Sequence, residues 1–144
     1  MDNQHLNQPD DTESMKEAVK DLKLLYVDDN KSLTSLFLIL GEEYGFQAFV
    51  SNSVEEGVAT ALKELPDVIL SDIKMPGGNG FELIGELKAH EATQNIPLIG
   101  CSVTYGSSGE DWLMFGGNKF VNDKPYSLEV LQRILKGVID RLNN

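Results

Sequence analysis

Leu24-Leu25-Tyr26-Val27-Asp28-Asp29 and Val68-Ile69-Leu70-Ser71-Asp72 each set a short apolar run against acid at its carboxyl end. Each run is the right length for a buried strand, and open α/β sheets place their ligand sites at strand carboxyl ends. Three carboxylates converging on that edge repel one another. In a partly desolvated cleft some would take up protons unless a hard divalent cation with oxygen ligands offset their charge, and Mg²⁺ is the natural candidate.

Outward from these two segments the chain alternates strand and helix, which favours a parallel sheet with helices on both faces. The pattern predicts strands over residues 24–27, 46–50, 67–71 and 98–103, and a fifth around residues 120–122. Helix one carries Leu33, Leu36, Phe37 and Leu40 at core spacing. Helix two opens on a Ser53/Glu56 capping box and turns Val54, Val58, Ala61, Leu62 and Leu65 inward. Helix three presents Leu83, Ile84 and Leu87, and helix five, capped by Ser127, presents Leu131, Ile134, Leu135, Val138 and Leu142. Between them Gly106-Ser107-Ser108-Gly109 and Gly116-Gly117 leave only residues 110–115 for helix four, which is expected to be short and mobile. Leu38 and Ile39 widen the apolar arc of helix one, by burial or as a protein-contact face.

At 144 residues the chain suits a single domain, residues 23–142. Residues 1–22 precede it: residues 1–11 are expected to be disordered and residues 12–21 helical through Met15, Val19 and Leu22. No apolar run is long enough to span a bilayer and residues 1–11 contain no signal-like h-region, so a cytoplasmic location is expected. The lone Cys101 lies in an apolar stretch and is expected to be a buried structural thiol. With 23 acids against 12 basic residues and a net charge of -11, the surface repels phosphate backbones and anionic lipid. Direct nucleic-acid and membrane binding are therefore disfavoured, and partners are expected to be proteins.

Four elements in order resemble a receiver domain of a two-component response regulator. They are Asp28-Asp29-Asn30, Asp72-Ile73-Lys74-Met75-Pro76-Gly77-Gly78-Asn79-Gly80, Ser102 after the fourth strand, and Lys124-Pro125. The resemblance is to the stand-alone type typified by the chemotaxis response regulator. It implies a flavodoxin-like, doubly wound five-stranded sheet of order 2-1-3-4-5. It also implies that Asp72 is the phosphoacceptor, taking a phosphoryl group from a sensor histidine kinase or histidine phosphotransfer protein without being an enzyme. Asp28, Asp29, Asp72 and the Lys74 backbone carbonyl would hold Mg²⁺. Ser102 and Lys124 would bind the phosphoryl group, Lys124 pairing with Asp72 at rest and aimed inward by a cis peptide before Pro125. Output would pass through the helix 4, strand 5, helix 5 face to a downstream target protein, or the phosphate would be relayed.

Two departures bear on output. The family's switch aromatic stands three residues before the lysine, where this chain has Val121, with Phe120 one residue earlier. Either strand five is displaced by one residue or aromatic coupling is absent. Val103 replaces a small residue beside the site and is expected to narrow access; with Lys74 and Thr104 it would tune the chemistry. Three alternatives are a pseudo-receiver acting by contact alone, a dehalogenase-type phosphotransferase, and a flavin- or nucleotide-binding module. The second lacks an acid at Lys74, and the third lacks a Gly-rich loop after strand one.

Overall fold

Strand β1, Lys23–Val27, lies between β2, Gln47–Ser51, and β3, Val68–Ser71, all parallel. Strands β4, Leu98–Cys101, and β5, Lys119–Val121, extend the sheet to the order β2-β1-β3-β4-β5. The computed structural model describes residues 17–75, 78–103 and 108–139. Expectations for residues 1–16, for Thr104 and for Leu142 lie outside the described residues.

Every residue of β3 and β4 is buried because helices cover both faces, and this is why these strands read as unbroken apolar runs. Side chains alternate across β1: Leu24 and Tyr26 join one core cluster with Phe37, Leu131 and Ile134, while Leu25 and Val27 join the other with Ala61, Leu83 and Trp112. The first face is covered by α1, Lys31–Tyr44, and α5, Leu128–Leu135. The second is covered by α2, Val54–Glu64, α3, Gly80–Lys88, and α4, Ser108–Met114. Helices on both faces of a parallel sheet define the doubly wound, flavodoxin-like α/β class.

Local chemistry starts the helices where the sequence pattern expects. Ser53 Oγ accepts the Glu56 N–H, and Glu56 in turn accepts the Asn52 N–H. Asn30, Asn79 and Ser127 cap α1, α3 and α5 through side-chain oxygens. Three expectations need correction. Leu65 does not face the core: it is the left-handed C-cap of α2 (φ 48°) and 50% exposed. Leu38 and Ile39 stay exposed, so ordinary burial does not account for them. Helix α5 does not run on unbroken, because Lys136 leaves helical geometry and Gly137 takes φ 84°. There the Lys119 ammonium donates to the Arg133 and Lys136 carbonyls, satisfying the end of the helix. Val138 remains buried beyond the break, and Val19, upstream of β1, is buried in the same cluster.

Helix α4 is short, as expected, but it carries an anchor that periodicity alone did not reveal. Trp112 is fully buried in a slot walled by glycines: a Cβ at Gly80, Gly100 or Gly117 would lie 2.8, 2.9 or 2.0 Å from the indole. Its Nε1 is buried without a hydrogen-bond partner among the described residues. Gly117→Ala forces the indole out of its slot. A loss of about 1–3 kcal/mol in urea denaturation is expected, with a red-shifted emission from the sole tryptophan. Unchanged stability and emission would show that the slot does not anchor α4.

Candidate functional site

Strand order reverses between β1 and β3, and that junction opens the crevice where doubly wound folds bind ligands. Asp28 follows β1 and Asp72 follows β3, with the Asp72 N–H donating to the Val27 carbonyl at 2.9 Å. Asp28 is held at every polar atom. Its N–H donates to the Ser51 carbonyl at 3.0 Å and its carbonyl accepts Asn52 Nδ2 at 2.8 Å. Oδ1 accepts the Asn30 N–H at 2.9 Å. Oδ2 accepts both the Tyr26 hydroxyl at 2.5 Å and Lys124 Nζ at 2.7 Å. Asn30 therefore links the pocket to α1, since its side chain caps the helix while its N–H grips Asp28. The acid pair is not itself the cap.

Asp72 is almost fully buried, and its Oδ1 accepts the Ile73 N–H at 2.8 Å and faces Lys124 Nζ at 3.1 Å. Gly80 backs it closely, since a Cβ there would come within 2.7 Å of the Asp72 carbonyl. Lys124 thus bridges two acids, and its shorter bond goes to Asp28 rather than to Asp72. No cis peptide occurs among the described residues, so Lys124 reaches inward through a trans bond to Pro125.

One carboxylate oxygen each from Asp28, Asp29 and Asp72 lie within 4.8 Å of one another, with Asp29 exposed to solvent. Hard, anionic oxygen donors gathered at this spacing fit Mg²⁺. Burial drives the Asp72 carboxyl upward. The charge of Lys124 pulls it down, but that of nearby Asp28 adds to the rise, and the net direction is up. Burial works against the Lys124 ammonium, yet its bonds and charge pairing with Asp28 and Asp72 prevail and hold the proton more firmly. Burial, followed by the Asp28 charge, lifts the Tyr26 hydroxyl above the ordinary phenol range. Cys101 is buried as expected, and burial raises its thiol.

Ser102 is buried just after β4, its N–H donating to the Val121 carbonyl at 3.2 Å. Val103 is 59% exposed. Lys74 points its side chain to solvent from a two-residue antiparallel ladder, Lys74–Met75 with Gly78–Asn79. Phe120 pairs in register with Gly100 and packs on the α4 side near Trp112, whereas Val121 packs against the α1/α5 cluster. The aromatic of β5 therefore lies under α4. Sequence reasoning missed Tyr26 and Asn52 as supports of the site. The available signal was the i, i+2 spacing of Tyr26 and Asp28, which puts both on one side of a strand.

The chain belongs to the response regulator receiver domain family, which it matches over residues 24–136. It is similar to PilH of Pseudomonas aeruginosa, 31% identical over 117 residues, covering 81% of this chain and 97% of PilH. It is also similar to the phosphate regulon transcriptional regulatory protein PhoB of Escherichia coli, at 28% identity over 84% of this chain, and there it spans only 53% of the regulator. Among solved structures, the receiver domain of a Pseudomonas aeruginosa sensor histidine kinase superposes with a TM-score of 0.72 at 24% identity, covering 83% of this chain and 98% of that one. That structure holds a magnesium ion in its active-site cleft. No helix among the described residues is long and apolar enough to cross a membrane.

A carboxyl whose folded pKa is raised contributes stability fully below its unfolded pKa and loses it as pH rises through the folded value. Without divalent metal, ionising the buried Asp72 carboxyl therefore opposes folding. Asp72→Asn is expected to raise the urea midpoint at pH 7, with the gain shrinking toward pH 4. A gain of equal size at both pH values would contradict this assignment.

Proposed function

We propose that the chain accepts a phosphoryl group on Asp72 from the phosphohistidine of a sensor histidine kinase or histidine phosphotransfer protein. The observation that carries this is Asp72 beside Lys124 at 3.1 Å and within 4.8 Å of two further carboxylate oxygens. An Asp72 carboxylate oxygen bonds to phosphorus as the P–N bond to the donor imidazole breaks. Such a loose transfer needs positioning and charge neutralisation more than covalent assistance. When bound, Mg²⁺ neutralises charge on the transferring group, and Asp28, Asp29, Asp72 and the Lys74 carbonyl would hold it. The magnesium ion in the cleft of the similar receiver supports this choice of metal.

Lys124 offsets the added charge by exchanging its bond to Asp72 for one to a phosphoryl oxygen. The Ser102 hydroxyl, buried at the end of β4, supplies a further hydrogen bond to the new group. The chain is the acceptor in a reaction whose chemistry the donor shares, rather than an enzyme turning over a substrate. Output passes to a target protein through the α4, β5, α5 face, where Leu113, Met114 and Tyr126 are exposed, or the phosphate is relayed onward. A shift between two pre-existing arrangements of that face would carry the signal. The excess of acidic residues and the lack of membrane-length helices among the described residues are consistent with a cytoplasmic site of action.

Incubation with Mg²⁺ and acetyl phosphate, followed by intact-mass measurement, is expected to yield an acid-stable, base-labile adduct that Asp72→Asn abolishes. An adduct-free wild-type protein, also inert toward phosphorylated histidine donors, would favour a pseudo-receiver acting by contact alone. Val103→Ala is expected to label faster with acetyl phosphate, because a branched side chain no longer flanks the acceptor. An unchanged or slower rate would remove Val103 as the gate.

A further inference from the structure

We infer that Tyr26 is a positioning residue that restrains metal binding at this site, its hydroxyl fixing which oxygen of Asp28 can face a cation. The inference rests on the metal-binding part of the function proposed above. Tyr26 is fully buried on β1, its ring 5.3 Å from that of Phe37, so the phenol is held in place by the core rather than by the pocket. Its hydroxyl donates at 2.5 Å to Asp28 Oδ2, which also accepts Lys124 Nζ at 2.7 Å.

A carboxylate oxygen offers two lone-pair directions. Oδ2 has both occupied. Oδ1 has one occupied by the Asn30 N–H, so among the described residues Asp28 keeps a single acceptor direction for a cation or a cation-bound water. The hydroxyl also draws charge from the carboxylate, and a less basic carboxylate is a weaker ligand for a hard cation. A strand residue without a hydroxyl would leave Oδ2 with one direction open, the carboxylate then being held by Asn30 and Lys124 alone. Tyr26 therefore trades metal affinity for a defined orientation of the Asp28 carboxylate.

Isothermal titration with MgCl₂ tests the inference in wild type and Tyr26→Phe, a change that preserves the ring and its packing. The variant is expected to bind Mg²⁺ about threefold to tenfold more tightly, the range that the net worth of one hydrogen bond allows. In an Asp28→Asn background the same change is expected to alter Mg²⁺ affinity by less than about twofold, since the oxygen through which Tyr26 acts is no longer a carboxylate. A purely structural role would lower the urea midpoint without changing Mg²⁺ affinity. Unchanged or weaker binding in Tyr26→Phe would overturn the inference while leaving the metal reading intact. A wild-type protein that takes up no Mg²⁺ would refute the metal reading, and the inference with it.

Discussion

Asp28 and Asp72 end adjacent parallel strands, and the sheet brings their carboxylates together whether or not the charges agree. Among the described residues a single ammonium answers them: Lys124, 96 residues away from Asp28 in sequence, contacts both acids at 2.7 and 3.1 Å. One positive charge between two buried negative ones leaves the pocket short of positive charge. Desolvation then raises the Asp72 carboxyl, and a cation in the pocket would offset the excess negative charge. The surrounding hydrogen bonds of Asp28 hold this unbalanced arrangement in shape. Asn30, Asn52, Tyr26 and the Ser51 carbonyl each satisfy a different atom of one residue. Buried polar groups retain their geometry only when fully satisfied, and Asp28 meets that condition.

The packing under α4 is arranged around an aromatic rather than a charge. Trp112 occupies a slot that exists only because Gly80, Gly100 and Gly117 lack side chains, and Phe120 packs beside it from β5. Gly80 stands at both sites, behind the Asp72 carbonyl and against the indole. A displacement of the chain around Asp72 therefore has a short, packed route to α4. Such tight contacts transmit movement because close-packed interiors yield by switching between arrangements rather than by deforming smoothly. β5 does carry an aromatic, Phe120, one residue before Val121 and packed under α4, whereas Val121 packs on the opposite face.

Much was legible in one dimension because the relevant forces are local or periodic. Burial on both faces made β3 and β4 continuous apolar runs, core-facing stripes marked α1, α3 and α5, and Ser53 and Ser127 announced helix starts. Acids at strand ends pointed to the crevice, and the order of Asp28, Asp29, Asp72, Ser102 and Lys124 carried the family resemblance. Where the pattern misled, a local backbone event overrode periodicity. Leu65 has the right spacing for a core residue but takes a left-handed cap, and Gly137 interrupts a stripe that continues past it to Val138.

The amino-acid sequence by itself determined the fold class, the order of the strands' acids and the identity of the pocket's ionisable groups, because strand length, alternation and charge are properties of neighbouring residues. Only the tertiary structure decided that Lys124 favours Asp28 over Asp72, that the Tyr26 phenol shares that same oxygen, and that Trp112 pins α4 among glycines from three other segments. Those outcomes depend on distances between residues remote in the chain, and a hydrogen bond or a steric slot forms only over a few tenths of an ångström, which no spacing along a sequence encodes.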